Sequence, residues 1–133
     1  MALQLEIVTP SLRALETACD EVQLPGAEGS FGVLPGHTPV LALLKAGALY
    51  VRTGGETQTY ALGEGFAEVS QDHVRVLVEE ADRAEQIDVG AAQKLLEQRR
   101  ATFAGMKSDD PEYERMRAQV ERAAARALVA GKK

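Results

Sequence analysis

Two histidines, one cysteine and twenty carboxylates are the groups from which an acid–base or nucleophilic centre of this 133-residue chain would be built. His37 stands in Leu34-Pro35-Gly36-His37-Thr38-Pro39, a stiff turn able to present a ring. General acid–base work needs a second group on the proton's path, and no carboxylate or activated nucleophile lies beside it, so it reads as a structural or interface residue. His73, in Gln71-Asp72-His73, reads as a solvated turn residue, and Cys19 as a small packed strand residue. A single cysteine makes neither an internal disulfide nor a cysteine zinc site, and no HxxxH or CxxC spacing converges on a metal. The sequence therefore predicts no catalytic residue, no metal and no cofactor.

Glycines 26, 29, 32 and 36 invite comparison with a phosphate loop. Such a loop needs a Gly-Lys-Ser/Thr step opening a helix, so that free N–H groups and an ammonium face the phosphates. No Lys or Arg occurs between Arg13 and Lys45. The segment reads as sandwich turns, exposed and available for docking. A net charge of −5 speaks against a nucleic-acid partner.

The elements that carry these residues fall into two regions. Nine of 12 glycines and four of five prolines precede residue 85, as expected of short strands and tight turns. Strands are read at Leu3–Ile7, Val22–Leu24, Val40–Leu44, Ala48–Arg52, Glu56–Ala61 and Val74–Val78, with period-two alternation clearest in the first and last. Gly54-Gly55 predicts a two-residue hairpin turn. About eight to ten short strands in residues 1–84 predict a β-sandwich or a flattened barrel.

Residues 85–133 are alanine-rich and predict an α-helical hairpin. Asp88 is its expected N-cap, with Ile87 stapling onto Ala92. Asp110-Pro111 is the expected start of the second helix, and Gly131 its end. The expected core stripes are Val89, Ala92, Leu95, Leu96, Phe103 and Met106 on the first helix. On the second they are Tyr113, Met116, Val120, Ala123, Ala124, Ala127 and Leu128. Alanine methyls stabilise by only about 0.8 kcal/mol each, so the hairpin is expected to be held loosely. Residues 1–84 carry 5 basic and 12 acidic groups, and residues 85–133 carry 10 and 8, which suggests different partners for the two units.

Pro25-Gly26-x-Glu28-Gly29-x-Phe31-Gly32-Val33-Leu34-Pro35-Gly36-His37-x-Pro39 resembles the signature of the epsilon subunit of F-type ATP synthases, the delta subunit of mitochondria. The likeness continues through Gly65-Phe66-Ala67-Glu68-Val69, Glu79-Glu80-Ala81-Asp82-Arg83-Ala84 and Ile87-Asp88, and covers essentially the whole chain. It implies an all-β sandwich of ten strands followed by a two-helix hairpin. It also implies a non-catalytic rotor subunit of the central stalk of a proton-translocating motor, bound to the gamma subunit and the c-ring. By position, Glu28, Ser30 and His37 fall at the c-ring contact. The hairpin would regulate, permitting catalysis when compact and inhibiting ATP hydrolysis when extended along the shaft. In that state Arg99, Arg100, Arg115, Arg117, Arg122 and Arg126 would meet acidic segments of the alpha and beta catalytic subunits.

Some bacterial relatives hold ATP between sandwich and hairpin through Ile/Leu-Asp-x-x-Arg-Ala. Here the segment reads Ile87-Asp88-Val89-Gly90-Ala91-Ala92. Asp88, Arg122 and Arg126 remain of such a site and the Ala91 position has lost its arginine, so ATP binding is expected to be weak or absent. A free-standing nucleotide-sensing module is the alternative reading. The implied location is the cytoplasmic face of a bacterial membrane, as a peripheral protein. The start MALQLEIVTP lacks the features of a signal peptide.

Overall fold

The computed structural model describes residues 2–11 and 13–132. Ten strands come first: β1 (Leu3–Val8), β2 (Arg13–Cys19), β3 (Glu21–Leu24), β4 (Phe31–Val33), β5 (Val40–Leu44), β6 (Gly47–Thr53), β7 (Glu56–Leu62), β8 (Gly65–Ser70), β9 (His73–Val78) and β10 (Ala81–Arg83). A 3-10 turn (Ala84–Gln86) leads into α1 (Val89–Ala104) and α2 (Tyr113–Ala130). The strands form two five-stranded sheets, ordered β2-β1-β9-β8-β5 and β10-β7-β6-β3-β4. The predicted sandwich followed by a helical hairpin is the observed fold.

Alternation explains the main core. Leu3, Leu5 and Ile7 of β1 and Val74, Val76 and Val78 of β9 point inward and are buried. They meet Val22, Leu24, Leu49, Val51, Tyr60 and Leu62 from the other sheet. The β6–β7 turn is formed by Gly54 and Gly55, both at positive φ (59° and 90°), as a two-residue turn in a right-twisted hairpin requires.

The hairpin lies on the outer face of the second sheet. There Ala48 of β6 sits opposite Ala61 of β7. Two methyl groups leave room for a helix to approach closely, and β7 is consequently buried on both faces from Thr59 to Leu62. Ala61, Ala84, Ile87, Ala92, Leu96, Ala123, Ala127, Val129 and Ala130 form a second, smaller core. Near the helical turn the Phe103 and Tyr113 rings pack 4.8 Å apart.

Several local expectations change. Phe31–Val33, read as turn, pairs with β3 as an edge strand. Three residues centred on glycine are too short to show alternation. The second helix begins at Tyr113 rather than Pro111. Asp110 instead accepts the Glu112 N–H at 2.8 Å and Tyr113 N–H through its own carbonyl, so one turn precedes the helix. Val89 and Leu128 lie exposed. Ala125 and Val129, outside the expected stripe, are buried because α2 is covered on a wider arc than a two-helix contact alone demands. Gly131 follows α2 in a right-handed conformation (φ −82°).

Candidate functional site

The outer face of the first sheet carries an uncovered apolar row. Strand register sets Leu43 opposite Phe66, Phe66 opposite Leu77, and Leu77 opposite Val8. Directly opposed residues share a face of a sheet, so four apolar side chains from β5, β8, β9 and β1 cross it side by side. Leu43 is 68% exposed and Phe66 47%. In the next row outward, 72%-exposed Leu41 is followed by Glu68, Arg75 and Glu6. Arg75 Nε lies 3.3 Å from Glu6 Oε1. An apolar centre with a charged rim is the anatomy of a protein-binding surface.

Beside this row, residues 26–31 and the β5 edge enclose an open groove of about 620 Å³, lined in part by Glu28, Ser30, Phe31, Leu41 and Leu43. The Ala27 N–H donates to Leu43 O and the Lys45 N–H to Pro25 O, so the edge of β5 is largely covered by this segment. His37 is half-buried and lies in a different depression, with Leu34, Pro35 and Glu21. Its Nδ1 is 2.6 Å from Thr38 O. Glu28 and Ser30 are thus brought together, and His37 stands apart from them.

The second feature joins hairpin to sandwich. Arg122 of α2 donates from Nε and Nη2 to both carboxylate oxygens of Glu64, each at 2.8 Å. Arg126, one turn on, donates to Asp82 Oδ2. Both arginine side chains are 29% exposed. The fork on Glu64 holds its carboxyl below the usual range, with partial burial opposing. The same hydrogen bonds, with Glu80 and Glu79 nearby, raise Arg122 further. An open cleft of about 330 Å³ runs past these arginines, and Glu80, Arg99 and Gln119 also line it.

The remaining sequence-predicted residues are spread over the hairpin. Arg99 donates to Gln119 between the helices. Arg100 is exposed. Arg115 pairs with Glu112, and Arg117 with Glu114 and Glu121, on the solvated face. Asp88 caps α1, its Oδ1 accepting the Ala91 N–H at 2.8 Å, and it is not among the residues lining the arginine cleft. Sequence reasoning missed Glu64 and Asp82 as arginine partners, and missed the apolar row. The one available signal was Val40-Leu41-Ala42-Leu43-Leu44, whose apolar residues fall on both faces of a strand.

Burial, with Asp20 adjacent, pushes the Cys19 thiol up, which disfavours the thiolate. Among the described residues no cluster of three or more His, Cys, Asp or Glu is placed to hold a metal. No described helix is long and apolar enough to cross a membrane.

A sandwich with one apolar face left open, carrying a hairpin pinned by ion pairs between the two units, defines a subunit of a larger assembly. The family model for the ATP synthase delta/epsilon chain β-sandwich domain matches residues 2–84. An ATP synthase epsilon chain of Syntrophotalea carbinolica is 41% identical over 130 residues, covering 98% of this chain and 94% of its own. That of Nitratidesulfovibrio vulgaris is 43% identical over the same length. A chain in the Euglena gracilis mitochondrial ATP synthase structure, described as OSCP/F1/c-ring, superposes with a TM-score of 0.79 at 27% identity, covering 98% of this chain and 81% of that one. A chain of the Tetrahymena thermophila central stalk and c-ring shares the fold (TM-score 0.65, 13% identity). The chain belongs to the delta/epsilon chain family of ATP synthases.

Proposed function

We propose that this chain is a non-catalytic rotor subunit of a proton-translocating F-type ATP synthase, seated on the gamma shaft and the c-ring at the cytoplasmic face of a bacterial membrane. The observation that carries the reading is the Val8–Leu77–Phe66–Leu43 row. Fully burying a leucine or phenylalanine side chain stabilises by about 1.5–3 kcal/mol, so these residues are suited to be the centre of a permanent contact with gamma. The groove holding Glu28 and Ser30, with His37 nearby in sequence, would face the polar loops of the c-ring. Close-packed interiors resist deformation, so the sandwich suits transmission of torque.

The hairpin, residues 85–133, is the regulatory unit of this reading. Extended, it would offer Arg100, Arg115 and Arg117, with the released Arg99, Arg122 and Arg126, to carboxylates of the alpha and beta subunits. ATP binding to the compact form would be weak or absent. Co-purification with gamma tests the central claim. Leu43→Asp with Phe66→Asp should lower gamma affinity at least about 100-fold while leaving the circular dichroism of the sandwich unchanged. Retention of full affinity by the folded double variant would overturn it.

A further inference from the structure

We propose that Glu64–Arg122 and Asp82–Arg126 form an ionic latch by which the chain's own carboxylates, rather than a bound anion, hold the hairpin closed. The inference rests on the proposed mobility of the hairpin and adds what controls it. Both pairs run between units: Glu64 precedes β8 and Asp82 lies in β10, whereas both arginines project from α2. The Glu64 pair is bidentate, the strongest geometry such a contact takes. The apolar contacts between α2 and the sandwich rest mainly on alanine methyls (Ala48, Ala61, Ala123, Ala127 and Ala130), with Val129 the larger buried side chain that α2 adds to that core. At the far end, Lys132 Nζ lies 5.6 Å from the centre of the Tyr50 ring, over its face. The polar pairs therefore contribute a larger share of closure than they would on a leucine-rich interface.

Three arginines and one glutamate line the cleft, and what opposes an anion there is that the arginines are already engaged. Arg122 is faced by Glu64, Glu79 and Glu80, and Arg126 by Asp82. The cleft also carries Arg99, already hydrogen-bonded to Gln119. An incoming polyphosphate would have to displace two carboxylates from the guanidinium groups it needs and then lie beside them. An internal carboxylate meets its arginine at high effective concentration, so an anion must outcompete both carboxylates before it gains the arginines.

Amide hydrogen exchange of the full-length protein tests the latch. Opening of α2 (Tyr113–Ala130) is read against β8 and β9 amides of the same molecule, which report global unfolding. Glu64→Gln and Asp82→Asn should each speed α2 exchange about fivefold, and about twenty-fivefold together, with the strand amides unmoved. Glu64→Gln combined with Arg122→Gln should be no faster than either change alone, and Arg122→Lys should fall between the wild type and Arg122→Gln. Millimolar ATP should leave wild-type α2 exchange unchanged. Unaltered α2 exchange in Glu64→Gln/Asp82→Asn, additive effects within the Glu64–Arg122 pair, or slowing by ATP would each overturn the latch. If the variants open the hairpin but hydrolysis by the assembled motor does not change, the regulatory reading fails and the latch stands.

Discussion

Glu64 shows how one side chain ties stability to acidity. Its carboxyl is held below the usual range chiefly by the hydrogen bonds from Arg122. A depressed carboxylate contributes its stabilisation in full above its unfolded value, about 4.3, and loses it as pH falls through the lower, folded value. The hairpin should therefore stay closed across neutral pH and loosen below about pH 4.3. Near-ultraviolet circular dichroism of the tyrosines would follow this, and Glu64→Gln should remove the part of the acid dependence that Glu64 carries. Position 91 carries no charged group. The side chain is one methyl, and Asp88 beside it is committed to capping α1. Calorimetric titration of the full chain with ATP should show no tight binding.

At the scale of elements, the apolar row depends on how closely β8 approaches β9. A Cβ on Gly65 would lie 1.9 Å from Leu77 O and 2.8 Å from Val78 Cα. Gly65→Ala should therefore push the strands apart and cost at least about 1–3 kcal/mol, measured as a lower urea midpoint. It should also weaken gamma binding, because Phe66 and Leu77 flank the displacement.

This scale also shows what sequence conveys. The alternation of Leu3, Leu5 and Ile7, the Gly54-Gly55 turn and the Asp88 cap are local patterns, and local geometry alone fixes them. The Glu64–Arg122 contact joins residues 58 positions apart, and no periodicity within either segment encodes it. The row from Val8 to Leu43 depends on register across four strands. In Val40–Leu44, apolar residues fall on both faces, and nothing within that run says what would cover the outer one. The wide burial of α2 was hidden for the same reason, because its second contact comes from Ala48 and Ala61, far back in the chain.

For the molecule as a whole, two cores of unequal strength imply two separable tasks. The main core is built from leucine, isoleucine and valine and the second mainly from alanine. Deleting residues 85–133 would uncover chiefly Ala48, Ala61 and the Tyr50 ring on the second sheet, leaving the first core closed. The assembled motor carrying this truncation should keep proton flow coupled to ATP synthesis and hydrolyse ATP faster. Unchanged hydrolysis would remove the hairpin's regulatory role.

The position of β1 has a further consequence. It lies between β2 and β9 and pairs with β9 in parallel, Leu5 against Val74. A ribosome must therefore release roughly the first eighty residues before the opening strand gains its second neighbour, and such distant pairing is slow to form. The helices emerge last and need only nearby partners to coil. During synthesis the sandwich should thus close as a late, all-or-none event, with the hairpin added afterwards, and a nascent chain stalled before residue 73 should remain open to proteases.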